Sequence, residues 1–482
     1  MLSLDVGSTS VRAMVFDALG RAVKGYAAAR PTPLRSGADG SSEAAAREIL
    51  AAVCGCVDEI LAAARGRSLA AVGSCTFVSN LLGLDARGRP VGPITTYADT
   101  RAAAAARGLR AENDEAAAHE RTGCRFHPSY WPARLRWLAA ERPDSFRRAR
   151  SWVSLAEYLQ AEFFGATAAM SVSVASWTGL LDRRLLGWDA ELARVAGLDL
   201  GQLPELAGAG TPKRGLKRAY ARRWPALREV PWCPAVGDGA AGNIGSGCFD
   251  SQRIALSLGT TAALRVVLPG AAPAIPDGLW CYRVDRRRHL LGGALSEGGC
   301  VYAWLMKTLR LDEKTAAREL AKAQPGAHGL VVLPFLAGER SPGWAEDARA
   351  AFTGLSLATR PEDMLHAGLE AVALRLALVL ERLAPACPGA QIVASGGALL
   401  RSPTWARIIA DATGRSLTLS KVPEASCRGA ALLALEGIGA LSDVAQALAY
   451  TRRVFEPDPA RHALYRAALN RQQELYGRLI GP

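Results

Sequence analysis

The sequence predicts an α/β protein of two related lobes with a ligand cleft between them. Three observations carry this expectation. A chain of 482 residues is long enough for two to four domains at roughly 100 to 200 residues each. Leu4-Asp5-Val6-Gly7-Ser8-Thr9 recurs 252 residues later as Leu256-Ser257-Leu258-Gly259-Thr260-Thr261, and apolar β-forming residues flank both copies; such repetition marks related structural units. Residues 204–234 carry proline, glycine and a basic cluster without clear periodicity, the composition of a linker or irregular surface segment. The junction is therefore expected near residue 235, dividing the chain into lobes 1–235 and 236–482.

The elements follow in order. Residues 2–6 form a short apolar strand, Gly7-Ser8-Thr9-Ser10 a turn, and 11–16 a second strand in which Val11, Ala13 and Val15 alternate with Arg12, Met14 and Phe16. A third strand is expected over 21–26, an Ala-rich helix over 43–64 and another strand over 69–74. In the second half, 254–267 reads as a hairpin, 297–309 as a helix and 329–334 as a strand. A long amphipathic helix follows Thr359-Arg360-Pro361-Glu362, read as a capping box, and places Leu365, Leu369, Val372, Leu376, Val379 and Leu383 on one face. Residues 391–395 make a strand, Gly396-Gly397-Ala398 a turn, and Ser402-Pro403 a helix start with Ser as N-cap.

Composition excludes several function classes. Half of the residues are hydrophobic and 21% are charged, the balance of a soluble globular protein. The net charge of +13 is almost all arginine, with 51 arginines against seven lysines. A polyanionic partner would need that charge concentrated and interleaved with aromatics. Here it is scattered, the densest groups being Arg147-Arg148-Ala149-Arg150, residues 213–223 and Arg286-Arg287-Arg288, so no nucleic-acid partner is expected. The ten cysteines contain no CxxC pair and the six histidines no metal spacing; buried reduced thiols fit a cytoplasmic protein. Residues 1–5 lack the basic and apolar regions of a signal peptide, and no apolar run approaches the ~18 residues of a membrane span. There is no P-loop, GxSxG, SxxK or HExxH.

The chemistry concentrates elsewhere. Each copy of the repeated segment is a hairpin whose turn N–H groups and hydroxyls suit a phosphate. Turn chemistry alone commonly explains one such hairpin, but two copies half a chain apart suggest two lobes facing one nucleotide. Asp238 stands in a Gly-Asp-Gly loop at the start of a helix of small residues. A carboxylate there suits a helix cap and equally a general base for a substrate hydroxyl attacking a phosphoryl group. Asp5, at the end of a strand beside the first turn, is placed to hold Mg²⁺ through water, and Arg12 on the partner strand to neutralise phosphate charge, a solvated arginine being the plainer reading. The glycine turn at 396–398 and the helix start after it suit a nucleoside and its phosphates. Tyr97-Ala98-Asp99-Thr100-Arg101 and the segment 122–131 gather acid, base and aromatic groups suited to a polyol, or to an ordinary loop surface.

Taken together, these segments resemble the FGGY family of carbohydrate kinases along essentially the whole chain, nearest to its gluconate-kinase-like (gluconokinase/xylulokinase-type) branch. The matches include residues 5–12, 97–101, 127–131, 237–241, 258–261, Leu336 to Trp344, Ser395 to Ala398 with Ser402 to Trp405, and Glu424 to Ala431. The resemblance implies actin-like, ribonuclease-H-like folds in both lobes, with ATP and sugar meeting in the cleft. By position, Asp238 would be the catalytic base and Asp5 would help bind magnesium. Gly7, Ser8, Thr9 and Arg12 would face the phosphates from one side, with Gly259 and Thr260 opposite. Gly299, Gly396 and Gly397 would line the nucleoside side. Phe77, Val78, Ser79, Tyr97, Asp99 and Tyr130 would contact the sugar. Val78 and Ser79 stand where the gluconate-like branch tends to carry an aromatic and a histidine, so another aldonate, a ketopentose or a polyol joins gluconate among the expected substrates. Two other roles are open to such a fold: a nucleotide-driven ATPase like actin or the heat-shock chaperones, and a sugar sensor without turnover. Oligomeric state is open, a homodimer being one arrangement.

Overall fold

The computed structural model describes residues 1–64, 67–165, 169–207, 212–447 and 450–481. Leu2–Val6 is buried along its whole length, as suits a strand with neighbours on both edges. It pairs antiparallel with Ser10–Phe16, which pairs antiparallel with Ala22–Pro31, and parallel with Val72–Thr76 on its other edge. Val236–Gly237 closes the sheet by pairing parallel with Val72–Thr76. The second lobe repeats this pattern inside a seven-stranded sheet. Arg288–Leu295, Ala262–Pro269 and Arg253–Leu258 form the antiparallel part, while Gln391–Ser395 and Leu417–Ser420 add in parallel. Each lobe thus orders its five common strands 3-2-1-4-5. A helix crosses from third to fourth in each, Ala46–Ala63 in one and Pro361–Leu383 in the other. The stripe on the latter is fully buried, as its periodicity predicts.

Several boundaries differ from the sequence expectation. The third strand runs on to Pro31. The helix expected from residue 43 begins at Ala46, because Ser42–Ala44 is a strand paired with Ile94–Thr95. The strand expected over 69–74 is Val72–Thr76, since its neighbour begins at Leu2 and that residue sets the register. The cap of the long helix is Arg360 rather than Thr359: Asp363 accepts from the Arg360 N–H at 3.0 Å, with Pro361 in the first turn. At 396–398 the expected turn is the entry to a short helix, Gly397–Arg401.

The segment 204–234 is not simply a linker. Residues 208–211 lie outside the described ones, but Arg218–Arg223 is a short helix. Tyr220, Trp224 and Trp232 pack their rings on Phe163, an aromatic patch that holds the segment to the first lobe. The first sheet also reaches past residue 235, because Val236 and Gly237 belong to it by hydrogen bonding. All ten cysteines are free and nine are buried, and among the described residues no helix is long and apolar enough to cross a membrane.

The lobes join through two helices, Asp238–Gly245 and Ala425–Gly437, each following the fifth common strand of its lobe. They cross antiparallel at backbone distance. A Cβ on Gly245 would lie 1.8 Å from the Ala425 carbonyl oxygen, and one on Gly429 would lie 1.7 Å from that of Ala241. Only glycine permits such an approach. Gly245→Val and Gly429→Val are each expected to lower stability by about 3 kcal/mol, the upper part of the range for forced overpacking. Urea unfolding monitored by circular dichroism measures the loss.

Candidate active site

Sheet register brings the acidic residues together. Asp5 is opposite Arg12 on one neighbouring strand and beside Cys75 on the other. Cys75 in turn pairs with Val236, two residues before Asp238. Asp5 is buried; its Oδ1 accepts from the Cys75 thiol at 3.3 Å, and its Oδ2 is 3.7 Å from Arg12 Nη1. Burial pushes the Asp5 carboxyl up to about 6, against the Cys75 hydrogen bond and the Arg12 charge, with Glu424 adding to the rise. Asp238 is the first residue of its helix, and its Oδ1 accepts from the Gly239 N–H at 2.7 Å. Its carboxyl is pushed up to about 7, first by desolvation and next by the charge of Asp5, while Arg265 and the Gly239 N–H pull the other way. A carboxyl that titrates near neutrality and opens on a cavity is the form a general base takes.

That cavity, of about 160 Å³, lies between the lobes. From the first lobe, Val78, Ser79, Tyr97, His127, Tyr130 and Trp177 face it beside Asp238. The second lobe adds Arg265, Trp280, Tyr282, Arg340 and Trp344. Trp177 stacks on Tyr282 with centroids 3.6 Å apart, Tyr282 stacks on Trp280 at 4.4 Å, and the Tyr130 and Tyr282 hydroxyls are 2.5 Å apart. An aromatic wall thus spans the two lobes. His127 Nδ1 accepts from the Ser129 N–H, and burial pushes the imidazole down to about 3. The ring is therefore neutral, with its proton on Nε2. Arg340 donates to the Leu295 carbonyl at 2.7 Å. The adjoining Glu339 is buried in an ion pair with Arg375 and accepts from Tyr476 at 2.7 Å, which fixes the loop.

The sugar-side expectations divide. Val78, Ser79, Tyr97 and Tyr130 line the cavity, and Tyr97 is 39% exposed at its edge. The Ser79 hydroxyl is already engaged, donating to the Trp177 carbonyl at 2.7 Å from a backbone with φ of 55°. Phe77 does not reach the cavity. It is fully buried in the first-lobe core directly after Val72–Thr76, and the following Val78 is the one that faces the cleft. Asp99 does not line the cavity either; its carboxylate is buried, paired with Arg101 at 2.5 Å and accepting from the Ser42 N–H. The neighbouring arginine has turned it into a loop anchor.

In the repeated hairpins, Gly7, Ser8 and Thr9 form the first turn, closed by Gly7 N–H to Ser10 O at 3.0 Å and tied by Thr32 to the carbonyls of Gly7 and Thr9. Thr9 is exposed, as are Gly259 and Thr260 in the second turn. The carbonyls of Gly259 and Thr260 accept from Gly299 and Cys300, so the second turn caps the Gly299–Thr308 helix. At Gly396, φ is 114° and a Cβ would lie 2.2 Å from Leu258 O, so the turn before Gly397 can only be glycine. Arg12, with 37% of its side chain exposed, donates to Glu424 at 2.8 Å across the lobes.

Sequence reasoning missed Trp177, Trp280, Tyr282 and Arg265, and gave Arg340 and Trp344 no role. It also saw no metal spacing among the histidines, yet His328 and His366 converge on Glu370. That cluster is a saturated hydrogen-bond hub. His328 Nδ1 accepts from Leu330 N–H, leaving its Nε2 proton to be donated to Glu370, which also accepts from Tyr465 and Gly326.

A two-lobed repeat of this fold, with a cavity of carboxyl, guanidinium and aromatic groups between the lobes, is shared with the sugar phosphotransferases. The chain belongs to the FGGY family of carbohydrate kinases: the family's N-terminal domain matches residues 1–245 and its C-terminal domain residues 254–437. It is 27% identical to gluconokinase of Bacillus subtilis (strain 168) over 455 residues, 91% of this chain and 88% of that protein. It is 28% identical to glycerol kinase of Geobacter sp. (strain M21), covering 96% and 95%. Gluconate kinase from Lactobacillus acidophilus superposes with a TM-score of 0.93 at 25% identity, covering 100% of this chain and 99% of that one. Xylulose kinase from the same organism gives 0.91 at 25% identity, covering 99% and 98%. These likenesses support the gluconate-kinase-like branch.

Asp238 also carries a stability consequence. Its folded pKa is raised, so the folded state binds a proton more tightly than the unfolded chain and loses stability as pH rises toward about 7. Asp238→Asn is expected to raise the melting temperature at pH 8, with the gain shrinking as pH falls toward 4; scanning calorimetry across that range checks it.

Proposed function

We propose that the protein transfers the γ-phosphate of ATP to a hydroxyl of a small sugar acid, with Asp238 as general base. The observation that carries this reading is the composition of one cavity, where Asp238 shares the space with two guanidinium groups and a stacked aromatic wall. Aromatic faces pack on sugar C–H groups, and guanidinium donors match carboxylate geometry. We assign substrate-carboxylate binding to Arg340, whose loop is held rigid by the buried Glu339–Arg375 pair. The neutral His127 offers its Nε2 proton to a hydroxyl. Val78 and Ser79 contribute surface rather than polar recognition, since the Ser79 hydroxyl is spent on Trp177. Phe77 and Asp99 keep structural roles.

The turns at Gly7-Ser8-Thr9 and Gly259-Thr260 would receive the phosphates, with Arg12 neutralising charge, and the Gly299 and Gly396-Gly397 segments would lie along the nucleoside. The donor set suits Mg²⁺: two buried carboxyls are both pushed up, Asp238 partly by the charge of Asp5, and Asp5 Oδ2 has its nearest cationic group 3.7 Å away. Bound with the nucleotide, Mg²⁺ would offset phosphate charge. The protein's own groups position the hydroxyl, accept its proton at Asp238 and exclude water with the Trp177–Tyr282 wall.

An ADP-release assay over aldonates, ketoses and alditols tests the substrate class. An aldonate is expected to exceed its alditol in kcat/KM by at least about tenfold, and equal values would remove the acid assignment. Arg340→Met should raise KM for the aldonate about tenfold with little change for the alditol. Asp238→Asn is expected to cut kcat by about 10² to 10⁴ while calorimetry still detects ATP binding. Near-native turnover in that variant would sink the base assignment.

A further inference from the structure

Arg265 is the charged group of the cavity to which the proposed function gives no role. It lies on Ala262–Pro269, with Ala263 and Arg265 on the same face by strand alternation and both against the cavity. Its placement is fixed from both lobes. Nη1 donates to Ser257 Oγ at 2.9 Å, and its main-chain carbonyl accepts from Asn243 Nδ2 of the first-lobe helix at 3.2 Å. Gly239 lies beside it: a Cβ there would be in ordinary contact, 3.5 Å from Arg265 Nε.

Two features distinguish this arginine from the scattered surplus. Nε is buried and has no hydrogen-bond partner, and among the described residues Arg265 forms no ion pair within 4 Å. A desolvated cation with unspent donors is costly unless an anion completes it. Burial pushes its guanidinium below the usual arginine range, and the nearby charge of Asp238 pulls the other way, so the open donors lie in the neighbourhood of that carboxyl. The two hairpins also answer each other. In the first, Arg12 reaches toward Asp5 at the strand end; in the second, Arg265 reaches Ser257, the repeat partner of Asp5. Arg12 is partly exposed and tied to Glu424, whereas Arg265 is enclosed beside Asp238.

We propose that Arg265 is a catalytic residue that donates to the γ-phosphoryl oxygens while the group passes to the sugar hydroxyl. This rests on the reading of Asp238 as base. In the step, an oxygen lone pair of the hydroxyl forms the new bond to phosphorus and its proton moves to the Asp238 carboxylate. The bond from phosphorus to the bridging oxygen breaks, its electron pair leaving on ADP. Arg265 forms and breaks no covalent bond; it supplies N–H donors where charge gathers on the transferring group.

Arg265→Gln and Arg265→Lys, with folding verified by circular dichroism and thermal unfolding, test this. For Arg265→Gln, kcat is expected to fall about 10² to 10³ with both KM values within threefold, and Arg265→Lys to recover part of the loss. A binding readout accompanies it: in the presence of sugar, affinity for MgADP with aluminium fluoride, a mimic of the transferring phosphoryl, should drop at least about 100-fold, with MgADP affinity unchanged. A kcat within threefold of wild type overturns the proposal. So does an unchanged kcat with a tenfold rise in KM for the aldonate alone, which would make Arg265 a carboxylate clamp. If Asp238→Asn retains turnover but Arg265→Gln loses it, the base reading fails and the phosphoryl contact stands.

Discussion

The structure depends on the crossing of Asp238–Gly245 and Ala425–Gly437. Their two backbone contacts, Gly245 with Ala425 and Gly429 with Ala241, are related by the same step of 184 residues along the chain. The crossing is therefore a local two-fold axis between the lobes. Ser3 Oγ donates to the Cys427 carbonyl at 2.6 Å, and a Cβ on Gly73 would lie 2.6 Å from Ala430 O. The second lobe's helix thus beds directly on the first lobe's sheet. Close packing of this kind transmits position with little slack, so Asp5, Asp238 and the two repeated turns share one reference point.

Around that point the lobes divide the chemical work. The first supplies carboxyls: Asp5 stands on one of the two strands that flank Val72–Thr76 and Asp238 directly after the other, and each is made a weaker acid by burial. The second supplies the cavity's guanidinium groups, Arg265 and Arg340, and adds Trp280 and Tyr282 to the rings of the first. Neither lobe holds a complete site. The Trp177–Tyr282 stack and the Tyr130–Tyr282 hydroxyl contact join the halves in a surface shaped by both.

How much of this was legible follows physical lines. The hairpins were, since a strand, a glycine turn and a second strand are local in sequence, and their repetition announced two lobes. The helix start at Asp238 and the Ser402 cap, which accepts from Trp405, were legible for the same reason. Side-chain direction was not: Phe77 and Val78 are neighbours of similar character, and only the sheet decides which faces the core. Asp99 misled because its partner Arg101 stands two residues away, and a local ion pair resembles a binding cluster in sequence. Trp177 is 88 residues from Arg265 and 105 from Tyr282 in the sequence, and only the packing of 170–180 against Trp280–Arg283 joins them. The alternation after the second turn, Ala263 then Arg265, was the one available signal for the arginine.

The pairing of Arg12 with Glu424 makes one guanidinium a tie between the lobes. Glu424 immediately precedes the second lobe's crossing helix, so Arg12 of the first lobe is engaged by the opposite lobe. An anion taking Arg12 would have to take it from Glu424, and the carboxylate so released would stand near Asp5, whose acidity it already weakens. On the proposed reading, nucleotide arrival would exchange a contact between lobes for one through the ligand, and the affinity for the nucleotide would be a difference between two partners of one guanidinium.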